Sequence, residues 1–190
     1  MEALLHEGKT FEKISYSGKE VKGREFEGCT FRQCDFSNSN FSHNRFVDCQ
    51  FIGCNLAMMK LNGTSLRDAI FEDCKLTGIN FHECEDFLFS VQFEGCILDY
   101  ASFMKKKMPK TKFSHTSLKN VDFSNANLAG AMFDNTNLEG AVFSRTELKE
   151  ANFLTAYNFN IDPEINSLTK ARFSLHGIPG LLTKYKIRVE

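Results

Sequence analysis

The chain has 190 residues, 23 basic and 24 acidic, for a net charge of −1. A charge so close to zero provides no global field to draw in nucleic acid or an anionic membrane surface. No apolar stretch approaches the roughly 20 residues that span a bilayer.

Residues 1–10 are expected to cap the fold. Met1-Glu2-Ala3-Leu4-Leu5-His6-Glu7 lacks the basic start and long apolar core of a signal peptide, so the expectation is a soluble, cytoplasmic protein. From Phe11 onward, every fifth residue is large and apolar: Phe11, Tyr16, Val21, Phe26, Phe31 and so on to Phe81. After a two-residue slip at 82–88 the ladder resumes at Leu88 and Phe93 and runs to Phe153, giving 29 hits. A period of five fits neither a helix at 3.6 nor a continuous strand at 2. It fits a short extended segment followed by a corner, so residues i−2 and i face inward together while i−1 faces out. Position i−1 is often polar, as in Asp35, Asn40, Asp122 and Asn137. Corners such as Asn62-Gly63, Ala129-Gly130 and Glu139-Gly140 hold turn formers. Corners of one hand wind such a chain into a solenoid.

The seven cysteines share the i−2 slot. Cys29, Cys34, Cys49, Cys54, Cys74 and Cys96 precede ladder residues by two, and Cys84 does so in the register that runs up to Phe81. Later coils fill the slot with alanine or threonine, such as Ala126 and Thr136, so cysteine is read as a compact hydrophobe and not as a disulfide or metal ligand.

The units Ala126-Asn127-Leu128-Ala129-Gly130 and Thr136-Asn137-Leu138-Glu139-Gly140, with Ala151-Asn152-Phe153, resemble those of pentapeptide-repeat proteins. The resemblance implies an all-β solenoid, a right-handed quadrilateral β-helix over 11–173 with four pentapeptides per coil. The period by itself leaves the number of sides open. With four sides, residues 20 apart stack about 4.8 Å from one another. Phe11/Phe31/Phe51/Phe71 is then one column and Phe93/Phe113/Phe133/Phe153 another, in a rod of about eight coils on the order of 40 Å long.

Three breaks interrupt the repeat, and breaks are where function can sit because the scaffold does not require them. His82-Glu83-Cys84-Glu85-Asp86-Phe87 reads as a bulge at one corner, or as an offset that exposes Phe87 or Phe89 to a partner. Met104-Lys105-Lys106-Lys107-Met108-Pro109-Lys110-Thr111-Lys112 puts Lys106 in an inward slot, where an unpaired charge is costly. Pro109 cannot donate to a ladder. The coil is expected to loosen there, with Lys106 snorkelling outward. Asp86, Phe87, Lys105, Lys107, Lys110 and Lys112 are the candidate partner-binding residues. The lysine run lacks interleaved aromatics, which speaks against direct nucleic-acid binding. At the third break Asn158 and Pro163 miss the ladder, while Leu168 and Phe173 resume it.

Residues 174–190 are expected to form a short α/β C-terminal cap, a helical turn over Ile178–Tyr185 followed by a strand at Lys186–Val189. An open β-helix end needs a cap or a partner. Leu181, Leu182, Tyr185, Ile187 and Val189 are expected to mediate a homodimer.

The five histidines form no HxxxH or HExxH pair, and no phosphate loop or nucleophile elbow is present. No enzyme activity, cofactor, metal or small-molecule substrate is expected. The tail, with Asp162-Pro163-Glu164-Ile165-Asn166, resembles the quinolone-resistance and microcin-immunity branch of the pentapeptide-repeat family. That resemblance implies dimers that act by contact with a type II topoisomerase, chiefly DNA gyrase. The alternative is a scaffold for another partner. DNA mimicry is disfavoured, because Glu12, Arg32, Ile52 and Glu72 share a column of mixed charge.

Overall fold

The ladder folds as short strands joined by tight corners, with four five-residue faces to a coil. The computed structural model describes residues 5–188. Its strands are Leu5–Glu7 (β1), Thr10–Glu12 (β2), Glu25–Glu27 (β3), Thr30–Arg32 (β4), Arg45–Val47 (β5), Gln50–Ile52 (β6), Ser65–Arg67 (β7), Ala69–Glu72 (β8), Val91–Glu94 (β9), Lys112–Ser114 (β10), Met132–Asp134 (β11), Asn152–Phe153 (β12) and Arg172–Phe173 (β13). Two parallel sheets result, in the orders β1-β3-β5-β7 and β13-β12-β11-β10-β9-β8-β6-β4-β2. The remaining faces are tied by isolated parallel bridges such as Asp35 to Asn55 and Asn40 to Lys60. The molecule is a parallel β-solenoid of about 8 turns. Residues 5–7, expected in an N-terminal cap, pair with β3 and belong to the first coil.

Phe31, Phe51 and Phe71 stack with ring centroids 4.7 and 4.9 Å apart. The column continues across the slip, since Phe71 stacks on Phe93 at 5.2 Å. The two phenylalanine columns expected from sequence are therefore one. Every ladder residue from Phe26 to Phe153 is buried except Leu88, while Phe11, Tyr16 and Val21 at the N-terminal mouth are half-buried.

Corners turn through a left-handed residue at i+2, for example Asn38 with φ 55° and Asn125 with φ 58°. Asparagine tolerates this region better than most residues. Pro109 sits at i+1 of such a corner, followed by Lys110 at φ 61°. Proline is favoured there because its own φ is preset. Thus the coil does not loosen at 104–112: Met108 and Thr111 are buried, and Lys107 bridges to Asn127.

The i−2 slot does more than fill space. Cys54 Sγ donates to the Phe31 carbonyl at 3.3 Å, and Cys74 to Phe51 at 3.3 Å. Thr136 donates to Phe113 at 3.1 Å, and Asn44 Nδ2 to Val21 at 2.6 Å. Each acceptor is a ladder residue on the preceding coil. Cysteine, threonine and asparagine interchange because each is compact and each can satisfy that carbonyl. All seven cysteines are free thiols and buried.

The slip lies later than the sequence suggests. Corners along the shaft are closed by an N–H from i+3 to the carbonyl of i, as in Ala101 to Leu98 at 2.9 Å, and Phe89 makes the same bond to Asp86 at 3.3 Å. Leu88 has the left-handed φ of 56° proper to i+2. Register therefore persists through Asp86, and the extra residues are Phe89 and Ser90 instead of a pair within 82–88. Asp86 stands in the ladder slot, but a carboxylate does not enter an apolar core unpaired. The loop everts, Leu88 is exposed, and Phe89 turns inward in its place. Beneath β7 the backbone bonds are Glu85 N–H to Thr64 and Ser90 N–H to Leu66, both 3.0 Å. The four-stranded sheet stops there, while the nine-stranded sheet passes through the β8–β9 pair.

At the far end Phe159 and Ile161, both buried, close the stack where Asn158 and Pro163 leave the ladder. The tail follows as a 3-10 turn at Leu175–Gly177, an α-helix at Pro179–Leu182 (α1) and a 3-10 turn at Thr183–Tyr185. Gly177 and Gly180 lie directly on the Phe159 ring, where an added Cβ would approach it to 2.8 Å. The strand expected at 186–189 is absent at 186–188: Lys186 turns left-handed at φ 52° and Ile187 is exposed. Val189 lies outside the described residues.

Candidate functional site

Two of the sequence breaks are one structural feature. Lys106 neither snorkels nor reaches water; its residue exposure is 1%. Its side chain runs inward from the slot and rises into the space left by the everted loop of the preceding coil. There Nζ donates to the Cys84 carbonyl and to Asp86 Oδ1, the latter at 2.7 Å, and it lies 5.0 Å from the centre of the Phe89 ring. The long stem supplies apolar packing and the ammonium is paired, which together meet the requirements for a buried cation. Burial pushes the Cys84 thiol up to about 12, against the opposing pull of Lys106, so it stays protonated.

Anchored in this way, the loop presents Phe87, 73% exposed, and Leu88 to solvent. The Arg67 guanidinium lies 5.9 Å from the centre of the Phe87 ring. A groove of about 460 Å³ leads away from Phe87 along the rod, past Arg67 and Arg45 to the corners at His43 and Gly23. These groove residues escaped the sequence reading because they come from three coils about 20 residues apart and share no local motif. Lys105 and Lys107 flank Lys106 one coil below, and Lys110 and Lys112 continue around the next corner. No carboxylate lies within 4.0 Å of these four lysines among the described residues. The structure thus ties Asp86, beside Phe87, to Lys106, whose exposed neighbours Lys105 and Lys107 belong to the same coil, while Lys110 and Lys112 follow on the adjoining face.

At the C-terminal end, the tail residues divide. Leu181 packs against the core and Leu182 is half-buried, so this pair serves the cap. Tyr185 donates to Glu164 at 2.7 Å, and Lys184 pairs with Asp162 at 2.7 Å and Glu164 at 2.6 Å. The Lys184 ammonium, with the Glu164 backbone N–H, holds the Asp162 carboxyl below its usual value. Lys184 and then Tyr185 do the same for Glu164. Ile187 is exposed, as is Leu175 at 89%, a residue the sequence reading passed over.

Among the described residues no His/Cys/Asp/Glu group could hold a metal, and no helix is long and apolar enough to cross a membrane. Carboxylates stand on the outer wall, often alternating with cations from coil to coil: Glu25 pairs with Arg45 at 3.3 Å and Glu139 with Lys119 at 3.1 Å.

No curated protein sequence matches the chain. Among solved structures, full-length QnrB1, a plasmid-mediated fluoroquinolone resistance protein, is similar over 96% of this chain and 100% of its own, with a TM-score of 0.58 and 17% identity. A trypsin-treated QnrB1 variant gives 0.57 over 99% of both chains at 18% identity. HetL, a pentapeptide repeat protein involved in heterocyst differentiation regulation from the cyanobacterium Nostoc sp. strain PCC 7120, gives 0.52 at 19% identity over 90% of this chain and 89% of its own. At these identities the likeness is one of fold. The model of the pentapeptide repeat region matches residues 24–103 and 87–153, the stretch over which the ladder and its stacked columns run. By that match and that geometry, the chain belongs to the pentapeptide-repeat family.

Proposed function

We propose that this protein is a non-catalytic rod that acts in the cytoplasm by protein–protein contact, with a type II topoisomerase, DNA gyrase in the first instance, as its partner. The observation that carries the reading is the division of labour in the solenoid. The interior is filled by stacked rings from Phe26 to Phe159, while exposed apolar groups lie on the wall at Met58 and Tyr100, on the everted loop at Phe87 and Leu88, and at the C-terminal end at Leu175 and Ile187. Such a molecule meets others through its wall and its tips. The full-length likeness to QnrB1 supports gyrase as the first partner to test. In this reading the rod is a homodimer through its C-terminal end, with Leu175, Ile178 and Ile187 supplying the apolar contact and Leu181 holding the cap beneath them.

The test is a supercoiling and DNA-cleavage assay with gyrase and ciprofloxacin. The rod is expected to reduce the cleaved complex in proportion to its concentration; no change at molar excess removes the topoisomerase reading. The mixed charge of the wall favours a second reading, a scaffold for a different protein, since DNA mimicry requires a continuous acidic face. Opposite charges interrupt the columns here, as at Glu25 and Arg45 or Glu12 and Arg32, even though Glu72 stacks on Glu94. A partner other than gyrase, recovered with the purified rod and shown to bind it directly, would establish that reading.

A further inference from the structure

We propose that Phe87 and Leu88, with the cations around them, form a docking surface for an acidic segment of another protein, one that presents carboxylates beside an apolar side chain. This rests on the reading that the rod works by protein contact, but not on the partner being a topoisomerase.

The apolar knob stands out from its own coil. Elsewhere along the loop coil the apolar side chains Phe81, Phe89, Val91 and Phe93 are buried, whereas Phe87 and Leu88 are 73% and 52% exposed at adjacent positions. They are held outward by a specific structure, because Asp86 beside them is tied to buried Lys106 at 2.7 Å. A preorganised aromatic anchor loses little entropy on binding.

The surroundings choose the partner's charge. Arg67 lies against the Phe87 ring on one side, and Arg45 lines the groove beyond it. Lys105 and Lys107 emerge on the other side, one coil below. Of the nearby carboxylates, Asp86 is tied to Lys106 and Glu25 to Arg45, while Glu85 also lines the groove and offsets part of its positive charge. Arg67 Nε is buried with no acceptor among the described residues, an unmet donor at the edge of the knob. A segment lying along the groove with its apolar side chain against Phe87 would bring its carboxylates to these cations.

The experiment is fluorescence anisotropy of the full chain with three labelled probes: a short peptide of alternating Glu and Leu, its Gln and Leu counterpart, and a DNA duplex. The Glu peptide is expected to bind, weakening as salt rises. Phe87→Ala, and separately the pair Lys105→Glu and Lys107→Glu, should each weaken it about tenfold. Lys149→Glu, on an exposed corner away from the loop, should leave it unchanged. Phe87 is exposed, so circular dichroism of Phe87→Ala should match that of the parent. The proposal is overturned if the Glu peptide does not bind, if the Gln peptide binds equally well, if the duplex is preferred, or if the loop variants bind as the parent does. Glu-peptide binding together with a null gyrase assay would retire the topoisomerase partner and leave this surface standing.

Discussion

Lys106 is the one charged side chain in the buried core among the described residues, and its variants separate packing from charge. Lys106→Met keeps the volume, removes the cost of desolvating an ammonium and loses one donor, so stability should change by less than about 1 kcal/mol. Lys106→Ala leaves the same Cys84 carbonyl unmet and adds a void where the stem was, and should cost about 2–3 kcal/mol. Asp86→Ala strands a buried ammonium and should therefore cost more than Lys106→Met, although Asp86 is the more exposed partner. Urea unfolding of the three variants checks the order; equal losses for Lys106→Met and Asp86→Ala would refute it. At Cys54, replacement by Thr keeps a donor for the Phe31 carbonyl and replacement by Val does not. Val should be less stable than Thr by about 1 kcal/mol.

At the scale of elements, the C-terminal cap is pH-sensitive with a definite sign. Asp162 and Glu164 have folded values held below 3.8 and 4.5 by Lys184, so they bind protons less readily in the latch than in the released tail. The latch is therefore fully made above those ordinary values and is lost as pH falls through the lowered ones. Hydrogen exchange of residues 175–185 should rise on acidification through this window ahead of exchange in the shaft. Uniform protection across both would show that the ion pairs do not hold the tail. The everted loop should behave differently: in Lys106→Met, exchange at 86–90 should rise at neutral pH while the neighbouring coils keep their protection.

For the whole molecule, each coil contacts only its neighbours, so stability is a sum of local steps and opening starts at the ends. The first coil is only half-buried at Phe11, Ile14, Tyr16 and Val21, whereas residues 93–153 carry a ladder buried on every face. Amide protection should climb from the mouth inward and peak within 93–153. A flat profile would mean that the rod unfolds as one unit. If sedimentation at micromolar concentration gives a monomer, the C-terminal homodimer is lost, and Leu175→Asp should have no effect on mass.

The period of five was enough by itself to determine the solenoid, the inward and outward residues and the small slot shared by cysteine and threonine. All of these depend on positions a few residues apart along one chain direction, and a regular repeat copies them from coil to coil. Lys106 shows where that logic stops: its slot was legible, but its partner sits on the preceding coil, and only stacking shows that the everted loop and the lysine run complete each other. Phe89 taking the place of Leu88, and Arg67 meeting Phe87, were hidden for the same reason. The tertiary structure decided those points because hydrogen bonds to the neighbouring coil, and the cost of burying Asp86, set the local register where the repeat lapses.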